Sequence, residues 1–112
     1  MVIAIIGSRT FNDYTLLETE ICKLTNTTII VSGGAIGADK LGEQYAIAHS
    51  IPTTIFKPDW AKYSKGAGFI RNKDIVDAAD LVVAFLDGTS KGTKHSIEYA
   101  HKQNKQVIIF NF

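Results

Sequence analysis

The stretch VIAIIG, residues Val2–Gly7, decides the fold, because it is an unbroken apolar run that ends at a glycine. A strand that is apolar on both faces is typical of the centre of a parallel sheet covered by helices. Four further strand patterns follow along the chain, at residues 28–31, 52–56, 80–86 and 106–110. Helical spacing of apolar residues separates the five strands, at residues 13–24, 39–49, 69–79 and 93–103.

Strict alternation of strands and helices predicts an α/β fold. We expect a doubly wound parallel sheet of five strands in the order 3-2-1-4-5, with helices on both faces and residues 1–112 forming a single domain. In that order the chain reverses between strands 1 and 4, and a ligand crevice opens at the carboxyl ends of the flanking strands. The site is therefore expected in the loops that follow strands 1, 2 and 4.

The composition is that of an ordinary globular protein, with 46% hydrophobic and 21% charged residues. A formal net charge of +1 gives no polybasic face, so we expect a small anionic ligand and no nucleic acid partner. The single Cys22 and three scattered histidines offer no metal-ligand spacing, and no cofactor is expected. The opening apolar run is too short for a signal peptide or a membrane span, which predicts a cytoplasmic protein with no membrane partner.

Glycine-rich loops follow strands 1, 2 and 4, with the sequences GSRTFND, SGGAIGAD and LDGTSKGT. Glycine lets a ligand approach the backbone, and the first N–H groups of the following helix lack intrahelical partners. A phosphate fits such a site because the helix dipole adds positive potential, although any one short turn also uses glycine for its own geometry. The predicted ligand-binding residues are Gly7, Ser8, Arg9, Ser32, Gly33, Gly34, Ala35, Gly37, Asp39, Arg71, Asn72, Asp87, Gly88, Thr89, Gly92 and Thr93.

Several of these residues have two interpretations. Arg9 and Arg71 offer planar forks of donors for phosphate, or are surface charges. Asp39 either caps its helix or accepts hydrogen bonds from a ribose hydroxyl. Trp60 and Tyr63, in the connection that follows strand 3, either form a lid that stacks on a base or pin that connection to the domain.

The named phosphate motifs are absent. The loop SGGAIGAD has no Lys-Ser/Thr ending, and Ser32 stands where the dinucleotide fingerprint has its first glycine. The loop also follows strand 2 rather than strand 1. These departures argue against a standard NTPase or NAD dehydrogenase.

Four segments together resemble the SLOG superfamily, which consists of Rossmann-like proteins that bind nucleotide-derived ligands. They are GSRTFNDY, VSGGAIGADKLGEQYA, DWAKYSKGAGFIRNKDIVDAADLVVAF and GTKHSIEYA, in this order over nearly the whole chain. The most similar branch is the small YspA/YpsA-related family of bacteria and phages. The resemblance implies a protein that binds a nucleotide or ADP-ribose-like ligand, as a sensor or a sequestering protein, and a homodimer or higher homo-oligomer.

Other members of that superfamily imply two alternatives. LOG-type phosphoribohydrolases cleave the N-glycosidic bond of nucleoside monophosphates. Their sequence pattern has an arginine-lysine pair at the start of a helix, and Arg71 matches that arginine. Ser96 stands where their catalytic glutamate would be, and a hydroxyl cannot supply the carboxylate. A replacement would have to come from Asp39, Asp87 or Glu98. The DNA-processing protein A family implies single-stranded DNA binding, which the low net charge disfavours.

Overall fold

The computed structural model describes residues 1–24 and 26–112 of the chain. Five parallel strands form one sheet in the order β3-β2-β1-β4-β5, which confirms the predicted topology. The strands are β1 (Val2–Gly7), β2 (Ile29–Ser32), β3 (Thr53–Ile55), β4 (Leu81–Leu86) and β5 (Gln106–Asn111). Because the order reverses between β1 and β4, their carboxyl ends flank the switch point of the sheet.

In the described residues five helices connect the strands, one more than the sequence predicted. They are α1 (Tyr14–Ile21), α2 (Ala38–Ala48), α3 (Trp60–Tyr63), α4 (Ala67–Ala78) and α5 (Lys91–Lys102). The prediction missed α3 because four residues are too few to show an apolar period. The Asp59 carboxylate caps this helix, accepting the amide of Lys62 at 3.1 Å. A 3₁₀ turn over Ser64–Gly66 then leads into α4, which begins two residues before its predicted start.

The ends of the other helices also differ from their predicted bounds. Asp13 caps α1 by accepting the amide of Leu16 at 3.0 Å, so the helix begins one residue later than expected. It ends at Ile21, where the amide of Leu24 bonds the Ile21 carbonyl in a tighter turn. Ser90 caps α5 and brings its start forward by two residues.

Alternate residues of the central strands enter two separate cores, one on each face of the sheet. On one face Ile3, Ile5 and Phe85 pack with residues of α1 and α2. On the other face Ala4 and Val82 pack with residues of α4 and α5. Burial on both faces explains why the sequence VIAIIG is apolar throughout.

Two glycines let the loops at the carboxyl edge of the sheet approach each other closely. A Cβ on Gly7 would lie 2.5 Å from the carbonyl oxygen of Phe85 and 2.6 Å from the Cβ of Ala38. Gly37 has a φ of +93°, and a Cβ there would lie 2.8 Å from the Cα of Arg9. The first turn of α2 is therefore pressed against the end of β1 and the loop that follows it.

Replacing Gly37 with alanine is expected to destabilise the fold by at least about 2 kcal/mol, because a positive φ and an overlap with the Arg9 backbone act together. Gly66→Ala is the matched control. Gly66 has a φ of −81°, and no atom lies within 4 Å of the added Cβ, so its stability should change by less than about 1 kcal/mol. Urea unfolding measures both variants, and equal losses would contradict the close packing at Gly37.

Candidate functional site

A cleft of about 350 Å³ opens at the carboxyl ends of β1 and β4, where the strand order reverses. Its walls come from the loops after β1, β2 and β4 and from α4 and α5. This volume lies at the lower end of the range found for small-molecule sites, about 300–1,000 Å³. The cleft is therefore where the topology predicted it, at the switch point.

The loop between β2 and α2 folds around the carboxylate of Asp39. This group is buried in the first turn of α2 and accepts the amides of Gly33 at 3.1 Å and Ala35 at 3.4 Å. The amide of Gly34 donates instead to Ser32 Oγ at 3.2 Å. Asp39 thus shapes the loop and does not cap its helix. Three amides of this predicted phosphate-binding loop, those of Gly33, Gly34 and Ala35, are bonded inside the loop.

Arg71 of α4 connects this loop to the wall of the cleft that α4 forms. Its Nη1 donates to the carbonyl of Gly33 at 2.8 Å, and its Nε donates to Asn72 Oδ1 at 2.9 Å. A Cβ on Gly33 would lie 2.6 Å from Arg71 Nη1 and 2.8 Å from Asp39 Oδ2. A Cβ here would displace the Arg71 guanidinium or the Asp39 carboxylate, so Gly33 has a packing role beside these two charged groups.

Burial raises the pKa of Asp39 to about 6, and the hydrogen bonds from Ala35 and Gly33 and the charge of Arg71 offset only part of this effect. Asp39 is therefore ionised at neutral pH and takes up a proton below about pH 6. A neutral carboxyl accepts hydrogen bonds more weakly than a carboxylate. The two bonds that shape the loop consequently weaken in mild acid.

The loops after β1 and β4 are bonded to each other through Ser8 and Asp87. Ser8 is buried, and its Oγ accepts the amide of Asp87 at 3.1 Å. The Asp87 carboxylate accepts the amide of Thr89 at 2.9 Å, the hydroxyl of Thr10 at 3.0 Å and the amide of Ser90 at 3.1 Å. These bonds, with that of the Thr89 amide foremost, hold the pKa of Asp87 well below its usual range. Asp87 is a structural anion of the loop at neutral pH.

The first turn of α5 presents backbone N–H groups at the cleft. Ser90 Oγ accepts the amide of Thr93 at 3.3 Å, and the amides of Lys91 and Gly92 have no acceptor in the described part of the chain. Beyond α5 itself, the nearest atom to a Cβ on Gly92 would be Asn72 Nδ2, at 4.0 Å. Glycine in a helix costs roughly 1 kcal/mol against alanine, and packing does not demand it here.

The cleft brings together most of the predicted ligand-binding residues. Those that line it are Gly7, Ser8, Arg9, Ala35, Asp39, Arg71, Asn72, Asp87, Gly92 and Thr93. Those that do not line it are Ser32, Gly33, Gly34, Gly37, Gly88 and Thr89. The residues that sequence reasoning missed are Ile6, Thr10, Ile75, Ser90 and Ser96. The two isoleucines are core residues that also line the cleft, and their apolar pattern signals only the core. The cap position of Ser90 could have been predicted from its place before a helix.

Trp60 and Tyr63 do not line the cleft. Both belong to α3, and their side chains are 59% and 40% exposed. Trp60 lies beside Gly68 of α4, 3.6 Å from where a Cβ would be. Their function as a lid stays a prediction.

In residues 1–24 and 26–112, no three carboxylate, imidazole or thiol side chains lie close enough together to hold a metal ion. Over the same ranges no helix combines the length and apolar character needed to cross a membrane. The polar groups around the cleft are backbone amides, hydroxyls, an amide side chain, two carboxylates and two guanidinium groups.

A family profile described as YAcAr, the YspA, cpYpsA-related SLOG family, matches residues 1–63, more than half of the chain. The chain belongs to this SLOG family. The match covers the loops after β1 and β2, and it confirms the resemblance seen in the sequence. The gene 61 protein of Mycobacterium phage D29 is 33% identical over 118 aligned positions, which cover 96% of this SLOG-family chain and 94% of the phage protein.

Two solved structures of DNA processing protein A share the fold of the SLOG-family chain. The Helicobacter pylori protein has a unique single-stranded DNA binding mode. It superimposes with a TM-score of 0.75 at 24% identity over 97% of this chain. The Streptococcus pneumoniae protein superimposes with a TM-score of 0.80 at 19% identity over 96% of this chain. The SLOG-family chain spans 64% and 49% of those two solved chains, respectively.

The expectation of no nucleic acid partner was wrong, because a protein with this fold binds single-stranded DNA. That expectation rested on a net charge of +1, which is a sum over the whole chain. Residues 57–73 hold five basic residues and one acidic residue, Asp59, so this segment alone carries +4. A low total charge therefore does not exclude a locally positive surface beside the cleft.

Asp39→Asn is expected to remove one specific pH dependence of stability. The Asp39 pKa is about 6 in the fold and about 3.9 in an unfolded chain, so folding takes up a proton between these values. The resulting stability is fully present below about pH 4 and is lost as the pH rises through about 6. Across this window the unfolding free energy of the unmodified chain should fall by roughly 3 kcal/mol relative to Asp39→Asn. Urea unfolding of both proteins over this pH range measures the difference, and parallel curves would contradict the raised pKa.

Proposed function

We propose that the chain binds a phosphorylated nucleoside in the cleft between β1 and β4, with a phosphate group at the start of α5. The observation that carries this proposal is Gly92, which leaves the first amides of α5 open to the cleft without any packing reason. Anions bind at helix N-termini because free N–H groups and the helix dipole both favour negative charge.

Arg9 is the cation that we assign to the phosphate. It lines the cleft, its side chain is exposed, and no hydrogen bond or ion pair engages its guanidinium in the described residues. A free guanidinium can bind a phosphate through two parallel hydrogen bonds. Arg71 already holds the Gly33 carbonyl, so its main effect in this proposal is to keep the wall of the cleft in place.

The remaining surface of the cleft suits the nucleoside. Thr10 and Asn72 provide polar groups for a ribose ring, and the buried residues Ile6 and Ile75 close the cleft on the side of the core. A volume of about 350 Å³ fits one nucleotide better than a dinucleotide.

The carboxylates at the cleft support binding rather than cleavage. Asp39 and Asp87 each accept two backbone amides of their own loops, so both carboxylates are engaged within the protein. Ser96 stands where LOG-type phosphoribohydrolases have their catalytic glutamate. It is buried and donates its hydroxyl to the Gly92 carbonyl at 3.2 Å. Glu98 lies on a second, smaller cleft with Lys73. We therefore propose a sensor or sequestering protein, located in the cytoplasm.

The ligand is identified by incubating the protein with nucleoside monophosphates, cyclic nucleotides, NAD and ADP-ribose, then washing, denaturing and analysing the released molecules by mass spectrometry. We expect one intact phosphorylated nucleoside in a stoichiometric amount. Free base and ribose phosphate in the unbound fraction would instead identify a phosphoribohydrolase. Retention of nothing would contradict the phosphate site.

Gly92→Asp should lower the affinity for a nucleoside monophosphate at least about tenfold, because a carboxylate then occupies the space assigned to the phosphate. The fold should be kept, since an acidic residue in the first turn favours the helix dipole. Thr19→Asp, exposed on α1, makes the same charge change away from the cleft and should bind normally. Isothermal titration measures both, and equal affinities in the two variants would exclude a phosphate beside Gly92.

Single-stranded DNA binding is a second candidate function. The Helicobacter pylori structure and the charge of +4 on residues 57–73 favour it, since a nucleotide within a strand offers the cleft the same phosphate. Fluorescence anisotropy of a labelled oligonucleotide should show saturable binding at low salt. The logarithm of the affinity should fall with the logarithm of salt concentration, by about 0.7 per phosphate contacted. Flat anisotropy at low salt would remove this candidate.

A further inference from the structure

Three large aromatic side chains are exposed within residues 57–73. Trp60 is 59% exposed, Phe69 47% and Tyr63 40%. None of the three belongs to either core of the fold. Single exposed apolar residues are common, whereas a local group of aromatic rings marks an interaction surface.

Contacts with α4 and α5, two helices that form walls of the cleft, hold two of these rings, Trp60 and Phe69. Trp60 lies against Gly68, which precedes the cleft-lining residue Arg71 by one turn of α4. The ring of Phe69 meets His95 edge-on, with 4.6 Å between ring centroids. His95 follows the first turn of α5, the turn that faces the cleft. His95 itself lines the second, smaller cleft. Trp60 and Phe69 therefore lie within about one helical turn of the cleft-lining residue Arg71.

Positive charge is interleaved with the rings. Lys57, Lys62 and Lys65 are exposed and alternate in sequence with Trp60 and Tyr63. Residues 57–73 carry +4, so the remainder of the chain carries −3. The surface that the rings form is thus the basic part of a chain that is otherwise acidic.

We propose that this aromatic ledge, formed by Trp60, Tyr63 and Phe69 and their neighbouring lysines, stacks the unpaired bases of a single-stranded nucleic acid whose next nucleotide occupies the cleft. Exposed rings stack on unpaired bases of any sequence, and lysines complement the negative charge of the phosphate backbone. Bases in a duplex are already paired and stacked, so the ledge selects single strands. The proposal rests on the proposed function only for the nucleotide in the cleft, and it extends the partner from one nucleotide to a strand.

The test compares thymidine monophosphate with an oligothymidylate of about 12 nucleotides, a length within the usual span of single-strand sites. Trp60→Ala and Phe69→Ala should each weaken oligonucleotide binding at least about fivefold and leave monophosphate binding within about twofold. Trp60→Phe should restore most of the oligonucleotide affinity, because it restores a stacking ring. Ile47→Ala is the matched control, since Ile47 is 80% exposed on α2, away from the ledge.

Each outcome separates the ledge from the cleft. Oligonucleotide binding that depends on the rings, without monophosphate binding, would support the ledge and contradict the proposed function of the cleft. Equal losses for both ligands would assign Trp60 to a lid over the cleft and overturn the ledge. No oligonucleotide binding at low salt, or equal binding by Trp60→Ala, Phe69→Ala and Ile47→Ala, would also overturn it. Lys62→Ala with Lys65→Ala should reduce the salt slope by about 1.4, and an unchanged slope would contradict their contact with phosphates.

Discussion

The buried carboxylate of Asp39 is the group on which the cleft depends. Its hydrogen bonds fix the amides of Gly33 and Ala35, and the carbonyl of the fixed Gly33 in turn binds Arg71. One carboxylate therefore sets the position of the loop after β2 relative to α4, which together form one side of the cleft. Burial raises the Asp39 pKa to about 6, so the ionised form costs stability at neutral pH. A charged group kept in an unfavourable place, at the switch point of an α/β sheet, is typical of a site shaped for a ligand.

The sheet order was readable from the sequence because unbroken apolar strands such as VIAIIG permit few arrangements once helices alternate with them. The position of the cleft was predicted for the same reason, since topology fixes which loops share an edge. The sequence could not show which amides remain free, because that depends on Asp39 reaching back to Gly33 through the fold. Nor could it show that the core residues Ile6 and Ile75 also line the cleft. The short helix Trp60–Tyr63 was not predicted, because a capping residue and a neighbouring helix stabilise it rather than a helical repeat of apolar residues.

The distribution of charge changes how the whole molecule is interpreted. The total charge of +1 includes a charge of +4 on residues 57–73, a segment that carries the exposed rings and contains the cleft-lining residues Arg71 and Asn72. The glycines of the site also divide into two physical classes. Gly37 is required by its positive φ and its contact with the Arg9 backbone, and Gly33 packs beside Arg71 and Asp39, whereas Gly92 has no such close contact. We therefore assign phosphate binding to the start of α5. The loop after β2 instead holds α4, which forms another wall of the cleft, in position.

The most direct test of this assignment is a titration of isotope-labelled protein with a nucleoside monophosphate, followed by nuclear magnetic resonance of the backbone amides. The account predicts that the largest changes in amide shift occur at Lys91 and Gly92, whose N–H groups are free to bind phosphate. The amides of Gly33 and Gly34 should move much less, because they are bonded inside their own loop. Large shift changes at Gly33 and Gly34, with unchanged amide shifts at the start of α5, would contradict this assignment. The absence of any shift change would also contradict it.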